Sequence, residues 1–319
     1  MSVNAWLDVK VEEVERKTGD TVALRLVAID GKSLPPFDAG AHVDVKIAPG
    51  LTRQYSLCGD PAETGAYRLG ILRDENSRGG SAAMNERVFA GDQLAISVPK
   101  NHFPLEAATH TILVGGGIGI TPLVAMAYHL HRNGQSFDLH YCVSNSDKAA
   151  FQSELAASPF ADRVKTYFSR SDDRPSFAPA DQLSEPSGGA HVYVCGPTGF
   201  MDWVFDEARK LGYTPDTLHK EDFGADVDLT GGSFTVVAQE TGVTVTVAEG
   251  QRIVDALTEA GIDIEVSCEE GVCGTCLCDV VEGEPDHRDS FLTEEERDSN
   301  EMIMVCCSRA KSPTLVLDI

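Results

Sequence analysis

The chain has 319 residues, a hydrophobic fraction of 42% and a formal net charge of −24. This length predicts two or three domains, and the negative charge excludes nucleic acid and anionic membrane surfaces as favoured partners. No stretch approaches the roughly 20 apolar residues of a membrane helix, and the N-terminus shows no secretory signal. We therefore expect a cytoplasmic protein whose cysteines stay reduced.

Residues 1–105 are predicted to form an antiparallel β-barrel. Short runs such as "TVALRLVAID" and "DQLAISVP" partly alternate apolar and polar residues, and glycine and proline separate them. The segment "RQYSLCG" (53–59) forms one strand, on which Arg53 and Tyr55 share a face. The segment "RGGS" (78–81) opens a short helix whose free N–H groups attract phosphate, although a simple turn with a helix cap also explains it.

Residues 106–226 alternate strands and helices, which predicts a parallel α/β sheet of the nucleotide-binding type. The glycines of "VGGGIGITPL" (114–123) follow a buried strand and let a pyrophosphate approach the backbone at a helix N-terminus. A second segment, "YVCGPTGFM" (193–201), also ends a strand, and Cys195 taken alone is explained as a buried thiol. Asn145 and Asp147 follow the second strand of this region and do not favour the 2′-phosphate of NADPH, although Lys148 is near. We therefore expect NADH rather than NADPH.

Residues 227–319 follow a glycine-containing linker (224–233) and are predicted to form an α+β domain around a cysteine loop. Cys268, Cys273 and Cys276 have the spacing C-x4-C-x2-C, which with a distant fourth cysteine is typical of plant-type [2Fe–2S] sites. The segment "MVCCSRA" supplies Cys306 or Cys307 as the fourth ligand. Gly271 and Gly274 are expected to let the backbone pass close to the cluster.

Three alternatives to this assignment remain open from the residues alone. A four-cysteine zinc site usually has two C-x2-C pairs, and this chain has one. The cysteines could instead be buried structural thiols. Cys278 is expected to be a spare thiol, although its place on the same strand face as Cys276 leaves a direct role open.

The segment "SCEEGVCGTCLCDVVEG…MVCCSRA" resembles the C-terminal ferredoxin domain of the phthalate dioxygenase reductase family, which includes the vanillate O-demethylase reductases. The two glycine-containing strand ends are similar to the nucleotide segments of the ferredoxin–NADP reductase superfamily. The motifs also follow the family's order of flavin, nicotinamide and iron–sulfur. The resemblance therefore implies a multi-domain electron carrier with FMN, NADH and a [2Fe–2S] cluster.

The resemblance also implies a site for each cofactor. The expected FMN residues are Arg53, Tyr55, Ser56 and Leu57, with Arg78, Gly79, Gly80 and Ser81 at its phosphate and Phe223 of "KEDFG" near its ring. The expected nicotinamide residues are Gly115, Gly116, Gly117, Gly119, Thr121, Pro122, Cys195, Gly196 and Pro197. The expected iron ligands are Cys268, Cys273, Cys276 and Cys306.

By the same resemblance, the chain is the reductase component of a Rieske-type aromatic oxygenase or O-demethylase. NADH would reduce FMN, and single electrons would pass through the cluster to the partner, with no protein side chain acting as a catalytic group. We expect a monomer whose acidic residues around the cysteine loop dock on a basic patch of the oxygenase. The alternatives are a reductase for a haem monooxygenase or a quinone, and a redox sensor that uses Cys278 and Cys307.

Overall fold

The computed structural model describes residues 6–48, 51–74, 80–170, 176–183, 186, 188–223 and 227–319. The chain divides into two compact units, Met1–Phe223 and Gly224–Ile319. No helix in these described ranges is both long enough and apolar enough to cross a membrane. The division into domains 1–105, 106–226 and 227–319 stays a prediction.

The first sheet is antiparallel and has six strands in the order β4-β3-β6-β1-β2-β5. Its strands are β1 (Trp6–Arg16), β2 (Thr21–Ala28), β3 (His42–Ala48), β4 (Leu51–Ser56), β5 (Tyr67–Leu72) and β6 (Gln93–Ser97). A bridge between Leu57 and Leu69 joins the two edge strands, so the sheet closes on itself as a barrel. The one short helix predicted in this region is α1 (Gly80–Glu86).

The second sheet has five parallel strands in the order β11-β10-β7-β8-β9. Its strands are β7 (His110–Gly116), β8 (Phe137–Val143), β9 (Val164–Phe168), β10 (Ala190–Cys195) and β11 (Leu218–Glu221). The helices between them are α2 (Ile120–Arg132), α3 (Gln152–Ala157), α4 (Pro179–Gln182) and α5 (Thr198–Lys210). The sequence did not predict β11, because "LHKE" is short and mostly polar.

The barrel and the parallel sheet share one hydrophobic core, which explains why they form one compact unit. Gly70 of β5 packs against Thr121 and Phe151, where an added Cβ would lie 2.6 and 2.7 Å from their side-chain atoms. Gly40 packs in the same way against the backbone of Phe103. This close packing fixes the barrel against the carboxyl ends of the parallel strands, where nucleotide ligands bind in such sheets.

The second unit contains a five-stranded mixed sheet in the order β13-β12-β18-β14-β16 and a separate two-stranded sheet. Its strands are β12 (Phe234–Ala238), β13 (Thr244–Val247), β14 (Leu277–Glu282), β15 (Pro285–Asp286), β16 (Met302–Met304), β17 (Arg309–Ala310) and β18 (Thr314–Leu317). Its helices are α6 (Ile253–Glu259) and α7 (Glu294–Ser299). Thr293 caps α7 in a capping box with Glu296, so the predicted acidic helix is present.

Candidate functional site

Four buried cysteines lie together in the second unit. The thiols of Cys268 and Cys273 contact each other, as do those of Cys276 and Cys306. Contact with the neighbouring thiol, and then burial, raises the pKa of Cys273 and of Cys276 far above the ordinary value. All nine cysteines of the chain are free, so none of these sulfurs is used in a disulfide.

This arrangement fits a two-iron cluster better than a single zinc ion. A [2Fe–2S] cluster needs two thiolates for each iron, and the four thiols form two pairs that are linked through Cys268 and Cys306. Among the described residues, no three His, Cys, Asp or Glu side chains converge as one ion would require. The donor set therefore fits the predicted group, with thiol protons that would leave on metal binding.

The cysteine loop is held from outside by charged and apolar side chains. Arg252 pairs with Glu269 at 2.9 Å and with Asp255 at 2.7 Å. An added Cβ on Gly271 would lie 2.5 Å from the Cys307 sulfur, and one on Gly274 would lie 2.4 Å from the Phe291 ring. These two glycines, whose φ angles are positive, thus make room for neighbouring side chains.

Each of the two spare thiols lies against a backbone carbonyl oxygen. Cys278 is buried on β14, and its Sγ lies 3.7 Å from the carbonyl oxygen of Cys276. Burial raises the pKa of Cys278 to about 11. Cys307 is also buried, with its Sγ 3.8 Å from the carbonyl oxygen of Met304. In this geometry Cys306 is the better placed fourth ligand.

The strand β4 carries the residues that the sequence assigned to the flavin. Tyr55 and Arg53 lie opposite Val43 and Val45 of β3, on the face toward the barrel core. The Tyr55 hydroxyl is buried and has no hydrogen-bond partner among the described residues, as expected of a group that awaits a ligand. Burial raises the pKa of Tyr55 far above its ordinary value. Leu57 is fully buried, and its backbone N–H donates to the Ala41 carbonyl oxygen at 2.9 Å.

The predicted phosphate segment is described only in part. Arg78 and Gly79 lie outside the described residues. Gly80 begins α1 and packs on Arg53, whose Cγ lies 2.9 Å from the position of an added Cβ. Ser81 Oγ accepts a hydrogen bond from the backbone N–H of Asp74 at 3.1 Å. Arg53 and Gly80 are therefore neighbours, as a shared phosphate site requires.

A half-buried carboxyl group that sequence reasoning missed lies beside this strand. Glu221 ends β11, in register with Cys195 of β10, and its Oε2 accepts a hydrogen bond from Ser56 Oγ at 3.2 Å. Burial raises the pKa of Glu221 to about 8, from an ordinary 4.5. Burial, together with the Glu221 carboxyl, also raises the pKa of Cys195 well above its usual range. The only signal was its place two residues before Phe223 in "KEDFG", and Phe223 itself is 41% exposed.

The two glycine turns predicted to bind nicotinamide nucleotide touch each other. An added Cβ on Gly119 would lie 2.3 Å from the carbonyl oxygen of Cys195, and one on Gly196 would lie 2.9 Å from Cα of Gly116. Gly115 pairs with Cys195 across adjacent parallel strands. Thr121 and Pro122 are buried in the first turn of α2, where Thr121 Oγ1 donates to the Ile118 carbonyl oxygen at 2.9 Å.

We expect Gly119→Ala to lower the free energy of unfolding of the first unit by about 1–3 kcal/mol, because the methyl group meets backbone that cannot move aside easily. Gly199→Ala is the matched control, since nothing lies within 4 Å of the added Cβ. Urea unfolding followed by tryptophan fluorescence reports on this unit alone, since both tryptophans, Trp6 and Trp203, belong to it. Equal stability of the two variants would contradict the close approach of the turns.

A cavity of about 510 Å³ opens beside these turns. It is lined by Gly116, Gly117 and Pro197 and by the ends of β8 and β9, and its aromatic wall consists of Tyr167, Phe177, Phe200 and Trp203. The cavity is large enough for much of a dinucleotide, and its position at the carboxyl ends of parallel strands is the usual one. None of Gly115, Gly119, Thr121, Pro122, Cys195 and Gly196 lines the cavity; all are buried except Gly196, which is half-buried.

Lys148 is the one lysine or arginine among the described residues that line this cavity. It lines the cavity and forms an ion pair with Asp20, and both residues belong to the first unit. Burial opposes the charge on Asp20, but hydrogen bonds from Lys148 and Thr18 outweigh it and lower the pKa of Asp20. Lys148 is thus already neutralised, which agrees with the expected preference for NADH.

Comparison with known proteins gives the same division of roles. Residues 236–311 match the 2Fe-2S iron-sulfur cluster binding domain, and residues 113–206 match the oxidoreductase NAD-binding domain. The vanillate O-demethylase oxidoreductase of Pseudomonas sp. strain HR199 is 44% identical over 316 residues, which cover 98% of this chain and 100% of that protein.

Two solved structures extend the comparison to the fold. The structure of phthalate dioxygenase reductase, described as modular for electron transfer from pyridine nucleotides to [2Fe-2S], has a TM-score of 0.80 at 36% identity. The match covers 99% of this chain and 98% of that one. An intact type IV self-sufficient cytochrome P450 monooxygenase has a TM-score of 0.81 at 35% identity, over 98% of this chain but only 41% of that chain.

The likeness spans the flavin strand, the two glycine turns and the cysteine loop together, and it confirms the predicted multi-domain fold. The prediction of an electron-transfer reductase is confirmed as well. The chain therefore belongs to the phthalate dioxygenase reductase family and is an oxidoreductase with NAD-binding and [2Fe–2S] domains.

Proposed function

We propose that the chain oxidises NADH, holds FMN in its first unit and a [2Fe–2S] cluster in its second, and reduces a separate terminal oxygenase. The observation that carries this proposal is the grouping of four buried thiols into two pairs in one unit and the contact between Ser56, Glu221 and the glycine turns in the other. When bound, FMN takes an electron pair from NADH and releases single electrons, which the cluster can carry.

The protein's part in this function is to hold each group in place. Tyr55 and Ser56 would meet the flavin ring, Arg53 with Arg78, Gly79, Gly80 and Ser81 would bind its phosphate, and Phe223 would cover an edge. Gly116, Gly117 and Pro197 would contact the nicotinamide nucleotide, with the buried turn residues shaping their backbone. Cys268, Cys273, Cys276 and Cys306 would bind the irons. Glu221 would hold a proton beside Ser56 at neutral pH, since its pKa is about 8.

The proposed partner is a Rieske-type oxygenase or O-demethylase of an aromatic compound. Support comes from the relative named as a vanillate O-demethylase oxidoreductase, which this chain matches over its full length. A haem monooxygenase is the second candidate, because an equivalent segment forms part of one self-sufficient cytochrome P450 chain. We place the protein in the cytoplasm as a monomer.

An anaerobic absorption spectrum before and after NADH tests the proposed function. We expect flavin bands together with broad iron–sulfur absorption, all bleached by NADH. A colourless protein that contains zinc would overturn the proposal. To choose the acceptor, the reduced chain is mixed either with a Rieske oxygenase or with a P450 lacking its own reductase. If the reduced chain supports turnover of the P450 but not of the Rieske oxygenase, the haem monooxygenase replaces the Rieske oxygenase as the proposed partner.

We predict that electron transfer to the oxygenase falls about tenfold or more when ionic strength rises from roughly 20 to 500 mM, because screening weakens the acidic docking face. That face is smaller than the sequence suggested, since Asp289 is buried and Glu269 pairs with Arg252. Its exposed carboxylates are Glu265, Asp279, Glu282, Glu284, Glu294, Glu295, Asp298 and Glu301.

Reduction of the cluster by NADH in the absence of a partner is the control for this salt dependence, because that step needs no encounter with another protein. A stopped-flow measurement gives both rates. A partner reaction that is as insensitive to salt as the control would argue against electrostatic docking.

A further inference from the structure

One buried carboxylate joins the two loops that carry the four cysteines. Asp289 lies in the segment 287–292, here called the Asp289 segment, and the Asp289 side chain is fully buried. We propose that Asp289 is a positioning residue that fixes these loops relative to each other and sets the reduction potential of the cluster. This inference rests on the proposed ligands Cys268, Cys273, Cys276 and Cys306.

The Asp289 carboxylate reaches the loop of the fourth cysteine through Ser308. Ser308 Oγ donates to Oδ1 of Asp289 at 3.4 Å and accepts the backbone N–H of Arg288 at 3.2 Å. Ser308 is fully buried and follows Cys306 by two residues. A shift of the Asp289 segment would therefore be passed directly to the backbone that carries Cys306.

The same carboxylate closes its own segment into a tight turn. Oδ2 of Asp289 accepts the backbone N–H groups of Phe291 at 3.2 Å and Leu292 at 2.8 Å. Arg297 of α7 donates to the Asp289 carbonyl oxygen at 2.6 Å, and its guanidinium lies 3.7 Å from Oδ2. Charge-assisted bonds of this kind are stronger than neutral ones, so the turn is rigid.

The Asp289 segment also contacts the loop of the other three cysteines. The Ser290 N–H donates to the Gly271 carbonyl oxygen at 3.1 Å, and an added Cβ on Gly271 would lie 3.0 Å from Cα of Asp289. The ring of Phe291 packs against Gly274, between Cys273 and Cys276 in sequence. A single short segment thus touches both sides of the proposed cluster site.

Two consequences follow for a bound cluster. Groups outside the ligand shell orient the ligands, and their loss commonly weakens metal binding by about 10–100-fold. A buried negative charge near the cluster also disfavours the reduced form, which carries one more electron. Removing the charge of Asp289 should therefore raise the midpoint potential, and loosening its link to Ser308 should let iron leave faster.

The test uses the full-length chain with its cofactors and compares Asp289→Asn with Ser308→Ala. The matched controls are Asp263→Asn and Ser233→Ala, which remove the same groups from exposed positions of the same unit, outside the docking face and the Asp289 segment. The readouts are iron and sulfide per chain, the midpoint potential by dye-mediated titration, the electron paramagnetic resonance spectrum of the reduced cluster and the rate of iron loss to a chelator.

We expect Asp289→Asn to shift the midpoint potential to a more positive value and to change the resonance spectrum, while Ser308→Ala loses iron about tenfold faster. Both controls should match the wild type. If Asp289→Asn does not retain the cluster, Ser308→Ala decides the outcome, because it removes only the two hydrogen bonds of a neutral hydroxyl and leaves the Asp289 charge in place.

Wild-type values of potential and iron loss in the Ser308→Ala and Asp289→Asn variants would overturn the inference and leave the proposed function intact. Equal changes in the variants and in their exposed controls would overturn it as well. A wild-type chain without [2Fe–2S] absorption would instead overturn the proposed function, and the inference would fall with it.

Discussion

Cys306→Ser is expected to abolish the iron–sulfur absorption and to lower electron transfer to the oxygenase by about 100-fold or more, since loss of a direct ligand exceeds the effect of losing an outer partner. The Cys306 thiol contacts those of Cys276 and Cys268, whereas the Cys307 thiol faces the Met304 carbonyl oxygen. Cys307→Ser should therefore keep the cluster, with its hydroxyl able to make the same hydrogen bond.

The comparison of these two variants removes the ambiguity that the adjacent cysteines leave in the sequence. Iron and acid-labile sulfide per chain, together with the visible spectrum, measure the result. Flavin content serves as an internal control, because the residues proposed to bind the flavin belong to the other unit. If Cys306→Ser kept the full cluster content and Cys307→Ser lost it, Cys307 would be the fourth ligand instead of Cys306. Cys278→Ser tests the remaining spare thiol and should behave as Cys307→Ser does.

The order of the motifs and most of the regular structure could be predicted because they depend on local pattern. Alternation along "TVALRLVAID" predicts β2, and the glycines after β7 predict a turn into α2. The cysteine spacing likewise predicts a cluster loop without knowledge of the tertiary fold. Such features need only neighbours within a few residues, so one sequence contains them in full.

The contacts that pair distant residues could not be predicted in this way. Ser56 and Glu221 are 165 positions apart, and nothing in "LHKE" indicates that its glutamate is half-buried against Ser56. Asp289 was counted among the docking acids, because a run of acidic residues suggests solvent exposure until the packing is known. Lys148 was noted as a cation near the expected 2′-phosphate position, but the sequence does not indicate its ion pair with Asp20 of the turn between β1 and β2. In each of these cases the tertiary fold changes the role of a charged group.

The half-buried Glu221 leads to a second large expected effect, on the pH dependence of stability. Its pKa in the folded chain is about 8, against an ordinary 4.5, so the folded chain holds one more proton than the unfolded chain between these pH values. Glu221 therefore makes the free energy of unfolding fall by about 1.4 kcal/mol for each pH unit from pH 4.5 to 8, and by about 5 kcal/mol in total. Below pH 4.5 this contribution is fully retained.

Glu221→Gln should remove this slope, because glutamine keeps the shape and neutrality of the protonated acid and can still bond to Ser56. We expect the variant and the wild type to be similar near pH 5, and the variant to be more stable by up to about 5 kcal/mol above pH 8. Urea unfolding from pH 5 to 9, followed by tryptophan fluorescence, isolates the first unit. Glu13 is an exposed residue of the same unit, so the free energy of unfolding of Glu13→Gln should vary with pH as it does in the wild type. Parallel curves for Glu221→Gln and the wild type would mean that Glu221 titrates as an ordinary carboxylate, and the proposed proton beside Ser56 would then be lost at neutral pH.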